Sequence, residues 1–213
     1  YQGLIWAVCG FKDNNFPNET PAEYIYIYNP VSDEWIQGAE IPESRRRGSS
    51  GVVVYNNKFY IVGGIQDGHS SGWVTWLDEY DPATDTWRQL ANAPRARDHF
   101  HATLHGNKIY LAGGRRSGEE TTFAPTIPEV DVFDLSTESW LTGSSLPDDL
   151  PTPRAGASSV NYKGELMVIG GEGNGQAYAR VDALNITTGV WTRLADLNHA
   201  RHGTGAIVSG GGV

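Results

Sequence analysis

The sequence predicts an all-β protein built from repeated four-stranded antiparallel sheets, and three observations predict this fold. A pattern of glycine pairs, tryptophans and arginines recurs with a period near 50 residues. Between these landmarks lie short segments in which apolar and polar residues alternate, as in a strand with two different faces. Helical periodicity of useful length is absent throughout the chain.

The repeat has constant internal spacings. Its glycine pairs and tryptophans are Gly63–Gly64, Gly113–Gly114, Gly170–Gly171, Trp35, Trp87, Trp140 and Trp191. The tryptophans are separated by 52, 53 and 51 residues. Sixteen residues separate the arginine that opens a unit from the first glycine of its pair, and six separate an Asn or Asp from the tryptophan. Variable length is confined to the remaining segments, which is typical of fixed strands joined by free loops.

Each unit is predicted to contain four strands. After Arg97, HFHATLH alternates, KIYLAGG is a short apolar run, EVDVFD alternates again and SWLTG is brief. The first two strands are joined by HGNK, a tight joint whose Gly and Asn suit a hairpin with positive φ. The third and fourth strands are joined by turns of one length, NPVSDEW, DPATDTW, DLSTESW and NITTGVW.

A single four-stranded sheet cannot bury both of its faces, so the sheets are predicted to stack around an axis as a β-propeller. A glycine pair at the end of the second strand lets neighbouring backbones approach closely and adopt positive φ. A tryptophan at the start of the fourth strand supplies a large apolar side chain between neighbouring sheets.

The order of a diglycine after an apolar run, then an aromatic residue or leucine, then a tryptophan resembles the kelch repeat. The middle residues of this order are Tyr28, Tyr80, Phe133 and Leu184. The resemblance covers essentially the whole chain and implies a kelch β-propeller of the type found in the central domain of galactose oxidase. Cys9 in place of a glycine and Leu184 in place of an aromatic residue are departures that weaken single units.

The whole chain is predicted to be one propeller region. Residues 1–41 supply strands 2–4 of one blade, residues 45–94, 95–151 and 152–198 are full blades, and residues 199–213 are the first strand of the next blade. The sixteen predicted strands amount to about four blades. Because kelch propellers usually have six or more blades, we expect a window from a larger propeller. A four-bladed ring closed by pairing of residues 199–213 with residues 1–41 is the alternative.

Composition limits the classes of partner. A net charge of −9 at pH 7 argues against general binding to nucleic acid or to an anionic membrane surface. No apolar run approaches the ~18 residues that span a bilayer. Cys9 is the single cysteine, so an internal disulfide is excluded. Few lysines and two possible glycosylation triplets lean slightly towards a secreted or cell-surface protein, and the compartment stays open.

The binding face is predicted from loop length. In antiparallel blades, the loops between strands 2 and 3 and those between blades share one face of the propeller. These are the long, variable loops: 11–23, 65–75, 115–128 and 172–177 within blades, and 41–46, 92–96, 146–153 and 197–200 between blades. Because binding residues often lie on long loops of a rigid scaffold, we expect the partner site on this face and at the channel mouth.

Four arginines recur where the chain enters the innermost strand and are candidate binding residues: Arg47, Arg97, Arg154 and Arg201. A ring of guanidinium groups around the channel mouth would bind carboxylates or phosphates bidentately. In the structural alternative, which recurrence favours, each arginine pairs with a neighbouring blade or binds loop carbonyls.

His99 is a further candidate binding residue. HFHATLH is expected to place His99, His101, Thr103 and His105 on one strand face. Two histidines at this spacing are able to ligate a metal, but the equivalent positions of the other units hold Ser or Gly. No metal is therefore predicted, and a polar lining of the channel is preferred.

Trp73 and Trp76 are the remaining candidates, in or beside a long loop. An exposed indole is a platform for a sugar ring or for a side chain of a protein partner. In the structural alternative, Trp76 packs into the third strand and Trp73 fixes the loop.

We expect a non-enzymatic propeller that binds a protein or a glycan through its long-loop face and needs no cofactor. Motifs such as G-x-S-x-G and H-E-x-x-H are absent, and the kelch resemblance most often implies adaptor and scaffold roles. The alternative is a carbohydrate-active enzyme, because kelch-type propellers also occur in a sialic-acid mutarotase and in copper-radical sugar oxidases. The mutarotase alternative needs polar groups at the channel mouth, such as Arg97 and His99. The oxidase alternative needs a Cys–Tyr cross-link, for which Cys9 is badly placed. The oligomeric state stays open.

Overall fold

A computed structural model describes residues 1–213 as nineteen β-strands with two single-turn 3-10 segments, Glu43–Arg45 and Gly143–Ser145. Blade I consists of β1 (Ile5–Ala7), β2 (Tyr24–Asn29) and β3 (Glu34–Glu40). Blade II consists of β4 (Gly51–Tyr55), β5 (Lys58–Val62), β8 (Leu77–Asp81) and β9 (Thr86–Gln89), with a small hairpin of β6 (Ile65–Asp67) and β7 (Ser71–Trp73) between its second and third strands.

Blade III consists of β10 (Ala102–His105), β11 (Lys108–Leu111), β12 (Asp131–Asp134) and β13 (Ser139–Trp140). Blade IV consists of β14 (Ser158–Tyr162), β15 (Glu165–Ile169), β18 (Val181–Asn185) and β19 (Trp191–Arg193), again with a hairpin of β16 (Glu172–Gly173) and β17 (Gln176–Ala177) in its 2–3 loop. All strands within a blade pair antiparallel in chain order, and the first strands β4, β10 and β14 lie side by side around the axis.

The register explains the recurring aromatic residues. In every blade the residue at the aromatic or leucine position lies directly opposite the repeat tryptophan: Tyr28–Trp35, Tyr80–Trp87, Phe133–Trp140 and Leu184–Trp191. Cross-strand pairs of large side chains stabilise a sheet. The order seen in the sequence is therefore a pairing of the two outer strands.

The hydrophobic core lies between blades. Three clusters of buried side chains fill the spaces between blades I and II, II and III, and III and IV. Strand β5 shows how one strand serves two of them, because Phe59 and Ile61 pack towards blade I while Tyr60 and Val62 pack towards blade III. A strand buried on both faces explains the short continuous apolar runs before the glycine pairs.

The diglycine is required by the contact between blades. Gly63 and Gly64 have φ values of 63° and 106°, and the Gly64 N–H donates to the carbonyl oxygen of Arg97 at 2.8 Å. A Cβ atom on Gly63 would lie 2.5 Å from that carbonyl oxygen. The same bond joins Gly114 to Arg154 and Gly171 to Arg201. Each glycine pair thus makes a close backbone contact with the segment that begins the following blade.

Residues 199–213 form no strand of a sheet, although they were expected to be the first strand of a blade. They run along blade IV, where Gly203 N donates to Gly156 O at 2.8 Å and Ser158 Oγ donates to Thr204 O at 2.7 Å, and end in the isolated bridge Ser209–Gly212. The first strand of a blade forms its hydrogen bonds with the second strand of the same blade, and residues 1–198 contain no such second strand for residues 199–213. No pairing joins this segment to residues 1–41.

Candidate functional site

The arginines Arg47, Arg97 and Arg154 lie inside the blades with fully buried side chains. Each guanidinium donates to the carbonyl oxygen of the first glycine of its pair, sixteen residues further on, and to the carbonyl fourteen residues further on. For Arg47 the acceptors are Gly63 O at 2.7 Å and Ile61 O at 3.0 Å. The constant spacing in the sequence is therefore the span of the hairpin that each arginine closes.

A buried aspartate completes each of these sites. The ion pairs are Arg47–Asp78 at 2.8 Å, Arg97–Asp131 at 2.5 Å and Arg154–Asp182 at 2.9 Å. A second arginine reaches each aspartate from the side: Arg45, Arg95 and Arg180 in the same order. Sequence reasoning missed these aspartates, although each stands nine residues before the repeat tryptophan.

The environment of these arginines shows what they do. Burial lowers the pKa of the Arg97 and Arg154 guanidinium groups, and the ion pairs with Asp131 and Asp182 oppose that shift. Every nitrogen of the Arg154 guanidinium contacts a protein oxygen, so the group is engaged inside the blade. Arg47, Arg97 and Arg154 therefore fit the structural alternative, in which each arginine binds carbonyl oxygens and an acidic partner inside the protein.

Arg201 occupies the same repeat position but has a different environment. Its side chain is exposed, and its Nε makes one long hydrogen bond of 3.4 Å to His199 O. It has no aspartate partner, because the strand that would carry one is not among the described strands. Arg201 is therefore the internal comparison for its three buried counterparts.

His99, His101, Thr103 and His105 were expected to share one face of a strand, but the structure places His99 outside that strand. Strand β10 begins at Ala102, and His99 precedes it in the left-handed conformation with a φ of 52°. Ser49, Gly156 and Gly203 have the same conformation at the equivalent positions. Backbone hydrogen bonds join these four residues in order around the axis, from His99 to Ser49, Gly156 to His99 and Gly203 to Gly156. The residue two after each recurrent arginine thus lines the channel mouth.

A chain of polar side chains crosses this mouth. His69 Nε2 of the β6–β7 hairpin lies 2.9 Å from His99 Nε2, and His69 Nδ1 lies 3.0 Å from Glu19 Oε2 of blade I. His99 Nδ1 is hydrogen-bonded to Asp98 Oδ1. Burial raises the pKa of Glu19, but hydrogen bonds from His69 and from the backbone, together with the nearby histidines, lower that pKa below its usual range. Burial lowers the pKa of His99, and Asp98 partly opposes this.

The polar chain continues into blade IV. Asp98 accepts hydrogen bonds from Ser117 N at 2.9 Å and Ser117 Oγ at 2.6 Å. Arg115 donates to Ser117 Oγ and, at 2.7 Å, to Glu172 Oε1. His99 is the one residue of this polar chain that sequence reasoning named as a candidate, since Glu19, His69 and Glu172 come from the loops of three other repeats. The mouth opens into a cavity of about 200 Å³ lined by small and polar residues.

The two tryptophan candidates have different surroundings. Trp76 lies half-buried with the Arg45 guanidinium 4.2 Å from its ring centroid, so it packs inside blade II. Trp73, at the end of β7, is 37% exposed, with the Arg116 guanidinium 5.8 Å from its ring. Phe16, in the 2–3 loop of blade I, is 59% exposed and its ring lies 5.1 Å from that of His69. Trp73 and Phe16 are therefore the aromatic side chains that this face offers to a partner.

The 2–3 loops of blades I, II and III contact one another and form one layer, which we call the loop platform (residues 11–23, 65–75 and 115–128). The His69 N–H donates to Pro17 O at 2.6 Å, and Ser70 Oγ donates to Asn18 Oδ1. On the other side, Gly118 packs so closely on Ser70 that a Cβ atom there would lie 1.6 Å from the Ser70 carbonyl oxygen. The platform is fixed by contacts between blades.

No group of three or more His, Cys, Asp or Glu side chains converges in the geometry of a metal site. The structure contains no helix long and apolar enough to cross a membrane.

The molecule consists of antiparallel sheets stacked around a common axis. In three of them a buried arginine donates to the carbonyl oxygen of the first glycine of its pair. These features define a β-propeller with kelch-type blades. A profile of the KLHDC2/KLHL20/DRC7 Kelch-repeats domain matches residues 14–211. The chain belongs to this kelch-repeat family. The resemblance noted in the sequence is thereby confirmed.

Known proteins with similar sequences include several named for kelch repeats. Kelch-like protein terF of Aspergillus terreus is 27% identical over 221 residues, which cover 99% of this chain and 46% of that protein. Human Kelch-like protein 23 is 26% identical over 187 residues, covering 86% of this chain and 31% of that protein. Beta-scruin of Limulus polyphemus is 26% identical over 212 residues, 95% of this chain and 22% of that protein. The chain thus spans less than half the length of these relatives.

Among solved structures, the structure of YjhT superposes with a TM-score of 0.74 and 17% sequence identity. The match covers 95% of this chain and 70% of that chain. At this identity the likeness shows the fold.

Proposed function

We propose that this chain is a protein-interaction propeller that binds its partner through the loop platform. The observation that carries the proposal is the pair of exposed aromatic side chains, Phe16 and Trp73, on loops that are fixed to each other by contacts between blades. The family supports it, because the kelch resemblance implies adaptor and scaffold roles most often.

Fixed loops favour binding because little conformational entropy is lost when the partner docks. The β6–β7 hairpin that ends in Trp73 is held on one side by Pro17 and Asn18 and on the other by Gly118. A flexible loop carrying the same tryptophan would lose more freedom on binding. The platform therefore has the preorganisation expected of a recognition surface.

The side chains of the platform indicate the chemistry of the partner. Trp and Arg dominate the energetics of protein interfaces, and here Arg116 lies over the Trp73 ring. In the same loop Arg116 is ion-paired with Glu119, and Glu120 beside them stands exposed and offers a free carboxylate to the partner. A protein segment with an apolar anchor and basic neighbours fits this surface.

The carbohydrate-active alternative is less well supported by the positions of its residues. It relied on Arg97 and His99 at the channel mouth, and Arg97 is fully buried against Asp131. His99 alone of this pair borders the channel. A glycan docking on Trp73 would use the same platform and is one outcome of the test below.

The test is quantitative affinity capture with the tag-free chain on beads, followed by binding of each purified captured protein. Trp73→Ala and Phe16→Ala are expected to weaken binding at least tenfold, which corresponds to about 1.4 kcal/mol each. Val31→Ala is the matched control, because Val31 is 93% exposed in a short turn on the opposite face. A partner that binds all three variants as tightly as the parent chain contradicts the proposal. Loss of binding only with Val31→Ala, or binding to arrayed glycans alone, also contradicts it.

A further inference from the structure

We propose that His69 and His99 form a binding site for one divalent cation of the Zn²⁺ class at the mouth of the channel. The two Nε2 atoms face each other at 2.9 Å across the gap between blades II and III. The site adjoins the loop platform, since the Phe16 ring lies 5.1 Å from that of His69, but its test measures metal binding and the other measures partner binding, so each proposal can fail without the other.

The Nδ1 atom of each imidazole is engaged by a carboxylate, which turns both Nε2 atoms towards each other. Asp98 accepts two hydrogen bonds from Ser117 and also lies against His99 Nδ1, so this carboxylate occupies the place of an acceptor for an Nδ1–H. Glu19 plays the same part for His69. With both Nδ1 atoms turned towards carboxylates, the two Nε2 atoms are the ring nitrogens left free, and at 2.9 Å they are close enough to share one cation.

A carboxylate behind each histidine is the arrangement that fixes the tautomer of metal-binding imidazoles and raises their basicity. Both carboxylates here are buried, Glu19 with 8% and Asp98 with 0% of the side chain exposed. Sequence spacing does not reveal this pairing, since Glu19 and His69 are 50 residues apart and His69 and His99 are 30 apart.

The geometry needs little change to accept a metal. Two nitrogens bound tetrahedrally at ~2.05 Å from Zn²⁺ are about 3.3 Å apart, so a separation of 2.9 Å must widen by a few tenths of an ångström. The Ser49 hydroxyl lies 3.3 Å from His99 Nε2 and is a neighbouring oxygen donor. The adjoining cavity of about 200 Å³ leaves room for water to complete the coordination.

The left-handed backbone at the channel mouth positions the His99 side chain. The residue has a φ of 52°, the conformation shared by Ser49, Gly156 and Gly203 at the equivalent positions, and His99 alone of the four carries an imidazole. Phe11 and Phe16 flank the ring of His69 and shield the pair from one side.

Zn²⁺ binding to the tag-free, chelator-stripped chain should be measured by calorimetry, with Co²⁺ as a spectroscopic probe and Mg²⁺ as a cation that avoids imidazole. One equivalent of Zn²⁺ is expected. His69→Asn and His99→Asn should each remove this binding, and Glu19→Gln should weaken it 10- to 100-fold. His101→Asn and His202→Asn are the matched controls and should bind as the parent chain does, because neither imidazole belongs to the facing pair.

Several results would overturn the proposal. One is less than a single equivalent bound by the parent chain; another is unchanged affinity in His69→Asn. A third is nitrogen NMR showing a proton on one of the facing Nε2 atoms that Zn²⁺ does not displace, which would make the pair a simple hydrogen bond. If His99→Asn fails to fold by circular dichroism, His69→Asn and Glu19→Gln decide the question, because neither residue has a left-handed backbone.

Discussion

The replacement of Arg154 by methionine tests the structural account of the recurrent arginines. The side chain is fully buried and donates to Gly170 O at 2.7 Å, Val168 O at 2.9 Å and Thr152 O at 2.8 Å, beside the ion pair with Asp182 at 2.9 Å. Methionine fills a similar volume but satisfies none of these oxygens. Breaking a buried ion pair by removing one partner typically costs ~3–5 kcal/mol.

For a chain of this length, ~3–5 kcal/mol corresponds to a fall in Tm of roughly 6–20 °C. Urea unfolding followed by circular dichroism gives the free energy of unfolding, and a thermal scan gives the Tm. The stability of Arg154→Lys should lie between that of the parent chain and that of Arg154→Met. An ammonium keeps the charge but lacks the planar fork that reaches three carbonyls.

Arg201→Met is the matched control for this experiment. Arg201 has the same repeat position, but its side chain is exposed and lacks an aspartate, so its replacement should change the free energy of unfolding by less than ~0.5 kcal/mol. If Arg154→Met and Arg201→Met lower the free energy of unfolding equally, the reasoning is refuted, because the effect then does not come from the buried ion pair and hydrogen bonds of Arg154.

Three further outcomes follow from the structure. Burial alone would raise the pKa of Glu79, but hydrogen bonds from Arg88, Lys58 and Tyr60 hold that pKa at about 2, below the usual 4.5. The ionised carboxylate therefore stabilises the fold above pH 4.5, and this contribution is lost as the pH falls towards 2. Acid titration of unfolding should therefore show a loss of up to ~3 kcal/mol in that interval, and Glu79→Gln should flatten it. Gly64→Ala should destabilise the fold, since φ is 106° and the new Cβ would lie 2.3 Å from a serine hydroxyl, whereas Gly205→Ala meets no atom within 4 Å and should be neutral in the same urea assay. Cys9 is buried and burial raises the pKa of its thiol, so a thiol reagent should react with it slowly in the native chain and quickly in urea; fast native labelling would contradict this.

Much of the fold follows from local patterning in the sequence. Alternation, tight turns and the regular spacing of glycine pairs and tryptophans specify four-stranded antiparallel units, because strand faces and turn conformations are properties of a few neighbouring residues. The exact interval from Arg47 to Gly63 is of the same kind, since both ends belong to one hairpin.

The candidate site was decided by tertiary structure. The sequence showed four arginines at one repeat position, and burial separates three structural ones from the exposed Arg201, because only the assembled blades bring an aspartate to each. The contact between His69 and His99, and the layer that carries Phe16 and Trp73, join loops of different length from different repeats. Spacing along the chain holds no information on such contacts, since loop length varies freely while the blades fix where the loops meet.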